Sequence, residues 1–305
     1  KDIVPIVDPS LKDPRINTKF VESNGLRFEV DYCGTGPKLM LCLHGFPEHS
    51  FSWRYQLPML ADMGYTVWAP NMRGYGLSSR PLRVADYRME ELIEDVYGLY
   101  EASGCASLTI LAHDWGAVIA WQYAMLKRSD LDHLIICNVP HPAAMQENFD
   151  RNQLKKSWYV FFFQIPWLPE YSMGRREAEP IATMLRNSNS KPEMFPDEVI
   201  NVYRKNAAQP RALNAMVNYY RALLRYGRRK YKTLSEFPII DTPTLMVWGE
   251  EDVALSKKTT LNTDRYVSNL TLKYLPGVSH WVQQEAPDQV NNLIKEFLGL
   301  SLIHI

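Results

Sequence analysis

The stretch 108–120, LTILAHDWGAVIA, constrains the fold more than any other part of the chain. It begins as an apolar run of strand type and passes through a single carboxylate, Asp114, into an apolar segment with small residues at Gly116, Ala117 and Ala120. A strand that turns at once into a helix brings two backbones nearly into contact, which only small side chains permit. A nucleophile held on such a turn is exposed at the top of a sheet. The common pattern for that elbow is G-x-S-x-G. None occurs in the chain, and the stretch reads Ala112-His113-Asp114-Trp115-Gly116, so the nucleophile would be a carboxylate. Asp is also a common helix N-cap, and this stretch alone does not separate the two readings.

Strand and helix patterns alternate along most of the sequence. Residues 20–33 read as two strands around a turn at Ser23-Asn24-Gly25. Runs at 39–43, 65–70, 134–139 and 244–248 are short and apolar, as in strands buried on both faces, and 270–275 adds another strand. Apolar spacing predicts helices over 53–63, over 89–103 with Gly104 as a stop, and over 287–298. The alternation predicts an α/β fold with a mostly parallel sheet flanked by helices. Between 141 and 237 it stops, giving way to helical patterns, aromatic clusters and interrupting prolines. A helical block inserted after a strand lies over the carboxyl ends of the strands, where such sheets bind ligands. The expected division is 1–140 as the first part of the core, 141–237 as an inserted helical cap, and 238–305 as the second part. Residues 1–17, with Pro5, Pro9 and Pro14, read as an irregular arm.

Composition narrows the function. Lys and Arg number 34, as do Asp and Glu, and zero net charge argues against nucleic acid as a partner. Cys33, Cys42, Cys105 and Cys137 are scattered, form no C-x-x-C and have no His at metal spacing. They read as buried free thiols in a reducing, cytoplasmic setting. No apolar run reaches the roughly 18 residues of a transmembrane helix. No metal or cofactor is expected. The chain starts at Lys1 rather than Met, which leaves room for an upstream targeting or anchor segment.

Two further loops complete a constellation. Gly249-Glu250-Glu251-Asp252 follows one strand and Gly277-Val278-Ser279-His280-Trp281 follows the next. The chain order is nucleophile, acid, histidine, each at a strand's carboxyl end, which is the order of an α/β-hydrolase triad. Asp114, Asp252 and His280 are therefore the candidate triad. Glu250 and Glu251 read as solvated loop charges.

Over nearly its whole length the sequence resembles the α/β-hydrolase-fold epoxide hydrolases. The matches are His44-Gly45-Phe46-Pro47-Glu48, Arg73-Gly74-Tyr75-Gly76, His113-Asp114-Trp115-Gly116, Gly249-Glu250-Glu251-Asp252 and Gly277-Val278-Ser279-His280-Trp281. Asn71, where the loop motif often has Asp, and Ala112, in place of the first elbow glycine, depart from the pattern. The resemblance implies two cap tyrosines that hydrogen-bond an epoxide oxygen, and Tyr159 and Tyr220 fit them, with Tyr219 the competing register for the second. It implies an oxyanion hole from the backbone N–H groups of Phe46 and Trp115, and a cis Phe46–Pro47 bond. The implied partners are a small apolar epoxide and water.

The residue types suit that chemistry. A strained epoxide opens when an ionised nucleophile attacks one side and an acid protonates the other. A phenol stays protonated at neutral pH and can serve as that acid. His280, oriented by Asp252, would then activate water against the ester on Asp114. Glu48 reads equally well as a holder of that water and as a solvated charge. His44 and His113 read as supporting hydrogen-bonding residues. Trp158, Phe162, Phe163 and Trp167 are expected to line an apolar pocket. The basic run Arg221, Arg225, Arg228, Arg229, Lys230 and Lys232 reads as a solvated face. Two other readings stay open. A haloalkane dehalogenase shares the Asp nucleophile and neighbouring Trp but has no use for two phenols. A ligand-sensing protein would keep the fold without turnover.

Overall fold

The computed structural model describes residues 5–228 and 230–302. Eight strands form one sheet: β1 (Asn17–Ser23), β2 (Leu26–Cys33), β3 (Lys38–Leu43), β4 (Thr66–Pro70), β5 (Ser107–His113), β6 (His133–Cys137), β7 (Thr244–Gly249) and β8 (Leu270–Leu275). Their order is β1-β2-β4-β3-β5-β6-β7-β8. β2 runs antiparallel to both neighbours, and β3 to β8 pair parallel. The β1–β2 hairpin turns at Asn24 and Gly25, both at positive φ, as a tight two-residue turn requires.

The near-continuous apolar runs have a packing cause. Along β3, Leu39, Leu41 and Leu43 join the core on one face, while Met40 and Cys42 join the core on the other. Helices Met89–Ser103 and Trp115–Leu126 cover the first face, and Gln56–Asp62 and Pro287–Leu302 the second. A strand covered on both sides has no polar face to show in its sequence. Helix Met89–Ser103 stops at Gly104, which takes the left-handed conformation.

Between β6 and β7, residues 138–243 contain no strand among the described residues. They form helices Pro142–Asn148, Arg151–Lys156, Trp158–Phe162, Leu168–Ser188, Asp197–Ala208 and Ala212–Tyr226. The fourth breaks internally, with Arg176, Glu177 and Ala178 at positive φ just before Pro180. Pro180 cannot donate a helical hydrogen bond, and its ring crowds the preceding turn. Arg204 holds the break by donating to the carbonyls of Arg176 (2.8 Å) and Glu177 (2.9 Å).

Several expectations need correction. The helix expected over 53–63 is a 3-10 turn, Ser50–Trp53, followed by the α-helix Gln56–Asp62. β6 ends at Cys137, not 139, because Asn138 turns to positive φ. Arg221 is not part of a solvated face. It is 5 % exposed, pairs with Glu170 at 2.5 Å and donates to the carbonyls of Phe163 (3.0 Å) and Ile165 (2.7 Å). Arg225, Arg228, Lys230 and Lys232 are exposed, and Arg229 lies outside the described residues, as do residues 1–4. All four cysteines are free, Cys105 being only half-buried.

Candidate active site

The elbow at the end of β5 is as tight as its sequence implies. Asp114 sits at φ 51° and ψ −124°. A Cβ on Gly116 would lie 2.3 Å from the Leu43 carbonyl oxygen, and one on Gly45 would lie 2.2 Å from the Asp114 Cβ. Both positions therefore demand glycine. The N-cap reading of Asp114 falls, because its side chain makes no capping bond to helix Trp115–Leu126. The carboxylate turns to the strand ends instead. Oδ1 accepts the Phe46 N–H at 2.6 Å, and Oδ2 lies 3.2 Å from His280 Nε2.

His280 Nδ1 meets Asp252 Oδ2 at 2.6 Å. Asp252 is itself held by the Asn138 amide (2.8 Å) and by the N–H groups of Ala254 (2.7 Å) and Leu255 (2.8 Å). The structure thus brings the three candidate triad residues together on loops after β5, β7 and β8. Asn138 was missed by the sequence reading. Its side chain also accepts from the Gly249 N–H (2.7 Å), so it ties the end of β6 to the loop that carries Asp252. The available signal was a polar amide ending an apolar strand run.

Electrostatics follow from this clustering. Burial pushes the Asp114 pKa up, but the His280 hydrogen bond and charge, His113 and the Phe46 N–H outweigh it and leave the pKa below its usual value. Asp252 is lowered too, burial again being overcome, here by His280 and Asn138. For His280, burial favours the neutral ring, yet the carboxylates of Asp252 and Asp114 raise its pKa well above normal. The two carboxylates on either side of His280 thus favour its charged form.

A second buried pair backs the elbow. His113 Nδ1 meets Glu48 Oε2 at 2.8 Å, and its Nε2 meets the His280 carbonyl oxygen at 2.7 Å. Glu48 also accepts from the Gly45 N–H (2.8 Å) and from Gln283 and Gln284 (3.2 Å each). It is fully buried, so the solvated-charge reading of Glu48 is wrong. His44 accepts the Met72 N–H at Nε2 (3.0 Å) and faces the Gly45 carbonyl through Nδ1 (3.0 Å), pinning the loop around the cis Phe46–Pro47 bond. The Gly116 N–H donates to the His44 carbonyl (3.0 Å) and that of Ala117 to the Asp114 carbonyl (2.9 Å).

Above the carboxylate stand the aromatics of the helical block. The rings of Tyr159 and Tyr220 meet edge to face, with centroids 5.9 Å apart. Burial, and then the Asp114 charge, raise both phenol pKa values, so both stay protonated at neutral pH. The Tyr219 hydroxyl donates to the Arg73 carbonyl at 2.7 Å, while the Tyr220 ring lies against Phe46 and Trp115, with the Asp114 charge among the causes that raise its phenol pKa. Phe163 packs on Phe46, Tyr159 and Tyr220, and Phe162 on Phe163. Trp158 (63 % exposed) and Trp167 (71 % exposed) stand at the outer surface instead, and Trp158 touches this cluster through Phe162. Among the described residues no group of three His, Cys, Asp or Glu side chains is arranged to hold a metal ion.

Sheet order, elbow and the succession of loops define an α/β-hydrolase-fold protein, and the family model described as alpha/beta hydrolase fold matches residues 38–287. The AB hydrolase superfamily protein YfhM of Bacillus subtilis is 37 % identical, over 93 % of this chain and 98 % of its own length. Epoxide hydrolase 2 of Caenorhabditis elegans is 34 % identical, over 93 % of this chain and 80 % of its own length. The crystal structure of Bacillus megaterium epoxide hydrolase in complex with an inhibitor superposes with a TM-score of 0.83 at 29 % identity, covering 92 % of this chain and all of that one. Within that fold class, the chain belongs to the epoxide hydrolase family.

Proposed function

We propose that the protein hydrolyses apolar epoxides to vicinal diols through a covalent ester on Asp114, with residues 141–237 acting as the cap over the reaction. The observation that carries this reading is the opposition of one ionised carboxylate to two protonated phenols within a single, partly buried cluster. In the first step Asp114 attacks an epoxide carbon, the C–O bond breaks, and Tyr159 or Tyr220 gives its proton to the released oxygen.

Esterification removes the negative charge of Asp114, one of the two charges that hold the proton on His280. The imidazolium then gives its proton to the phenolate through solvent, and the neutral ring becomes a base. It takes a proton from water, and the hydroxide attacks the Asp114 carboxyl carbon. The oxyanion forms where the Phe46 N–H already donates, and the Trp115 N–H is assigned as the second donor. Collapse releases the second alkoxide, which takes the remaining proton of the added water. The products are the diol, ionised Asp114, the imidazolium and two phenols, so each turnover consumes one water and no other reactant.

Paired phenols favour this reading over dehalogenation, in which the departing halide needs no proton. A single turnover with enzyme in excess in oxygen-18 water tests it. The expected result is unlabelled diol and label in the peptide containing Asp114. Labelled diol with an unlabelled peptide would mean that Asp114 only deprotonates water.

A further inference from the structure

The outward face of the helical block carries an apolar surface that the proposed reaction does not use. Helices Arg151–Lys156 and Trp158–Phe162 run almost without a break. The Ser157 N–H donates to the Gln153 carbonyl (2.9 Å) and the Val160 N–H to the Ser157 carbonyl (3.1 Å). Gln153 and Phe163 are buried on the inner side. Leu154, Trp158 and Phe161, spaced four and three residues apart, share the outer side, and Ile165 follows. All four are exposed, as are Trp167 and Tyr171 farther on. A monomer rarely shows water so many large apolar groups from one short segment unless the surface meets something.

The charges around the segment favour one occupant. Arg151, Lys155, Arg175 and Arg176 are exposed. Of the acids nearby, Asp150 is paired with Lys258 (3.2 Å) and Glu170 with Arg221, leaving Glu177 as the exposed carboxylate of the segment. Tryptophan and tyrosine rings beside lysine and arginine suit the headgroup level of a bilayer, where the rings sit at the apolar boundary and the bases reach lipid phosphates and carboxylates. A second copy fits less well, because a two-fold contact sets a patch against itself and would bring Arg151 and Lys155 up to their own equivalents.

We propose that this face docks peripherally on a bilayer surface that carries anionic lipids. No described helix is long and apolar enough to cross the membrane, so the segment lies in the interface plane. The docked face is continuous with the candidate active site through ring contacts from Trp158 to Phe162 (5.9 Å), Phe162 to Phe163 (6.0 Å) and Phe163 to Tyr220 (4.9 Å). An apolar molecule leaving the bilayer there meets aromatic rings along its way to Asp114.

Vesicle flotation of the full chain tests the proposal. The protein should float with vesicles of phosphatidylcholine mixed with phosphatidylserine, and less with phosphatidylcholine alone. The double variant Leu154→Ser, Phe161→Ser should need about tenfold more lipid for half binding, with an unchanged thermal melt. A second double variant, Arg151→Glu, Lys155→Glu, should lose its preference for the mixed vesicles, as should the unaltered protein in high salt. Equal flotation of the unaltered chain and the serine variant would overturn the proposal, and so would no flotation of the unaltered chain. Self-association abolished by the serine changes, without lipid binding, would likewise overturn it and assign the face to a second copy.

Discussion

Adjacent tyrosines in one helix take opposite fates, and the cause is visible at single atoms. Both rings pack on Trp115, but Tyr219 donates to the Arg73 carbonyl and packs on Tyr75 and Tyr87, whereas Tyr220 lies against Phe46 and Tyr159. Tyr159→Phe and Tyr220→Phe should each slow epoxide opening by about 100-fold, the scale of one general acid, and together nearly abolish it. Tyr219→Phe should leave the opening rate within about threefold and lower stability by about 1 kcal/mol, the worth of one hydrogen bond. Stopped-flow tryptophan fluorescence under single-turnover conditions separates the cases, and full activity in the Tyr159/Tyr220 double variant would end the assignment. His280 offers a second check. Two carboxylates raise its pKa, so Asp114→Asn, which removes one of them, should lower it. At a given pH between the two pKa values the ring would be charged in the unaltered protein and neutral in the variant. Imidazole NMR titration reads this directly, and an unchanged pKa would mean that Asp114 does not bear on the base.

At the scale of elements, the Arg73-Gly74-Tyr75-Gly76 loop shows what one motif does for the frame. Arg73 forms a two-pronged pair with Asp95 of helix Met89–Ser103, both contacts 2.6 Å, and donates to the Asp86 carbonyl. Both partners are buried. Asp95→Ala would strand a buried guanidinium and should cost about 3–5 kcal/mol, measured by urea unfolding; a loss below about 1 kcal/mol would mean that solvent already screens the pair. The sheet was legible because strands covered on both faces read as apolar runs closed by turn residues, and the elbow because Gly116, Ala117 and Ala120 betray two backbones in contact. The meeting of Asp114, Asp252 and His280 was legible from loop order. Tyr159 and Tyr220 were singled out by family resemblance, since helical spacing by itself makes Tyr220 another core residue. Long-range satisfaction of polar groups was not legible. Arg221 sits in a basic run yet bonds to carbonyls of residues 163 and 165, and Asn138 serves a carboxylate at position 252. Glu285 reads as one acid among many, yet it gathers Ser279, the Trp281 N–H and the Ser190 N–H on either side of the histidine loop. No local pattern encodes the distant partners among these, which lie 56, 58, 95 and 114 residues away in the chain.

For the whole molecule, the question is whether the helical block and the sheet domain unfold together. Polar seams join them. Asn206 accepts the Gly76 N–H (2.8 Å) and donates to the Glu48 carbonyl (3.2 Å), so one residue of the helical block holds two loops of the sheet domain. The Tyr203 hydroxyl donates to Gln284 (2.6 Å) and lies 2.9 Å from Ser52 Oγ. Ser279 Oγ and the Trp281 indole both bond to Ser188, and Lys156 donates to the Asp252 carbonyl (3.0 Å). These groups are largely buried, so a detached helical block would leave donors and acceptors unpaired on both surfaces, at about 1–3 kcal/mol apiece until water replaced the partners. Several such seams together amount to about 5–15 kcal/mol, the scale of a domain's whole net stability, and a coupling of that size makes the two layers melt as one. The expected behaviour is a single calorimetric transition. Asn206→Ala removes one seam and should shift that transition down by about 2–8 °C without splitting it, because the remaining seams still couple the two layers. A helical block that melts on its own would show instead as a separate low-temperature peak, and Asn206→Ala would then move that peak alone while the sheet's transition stayed in place.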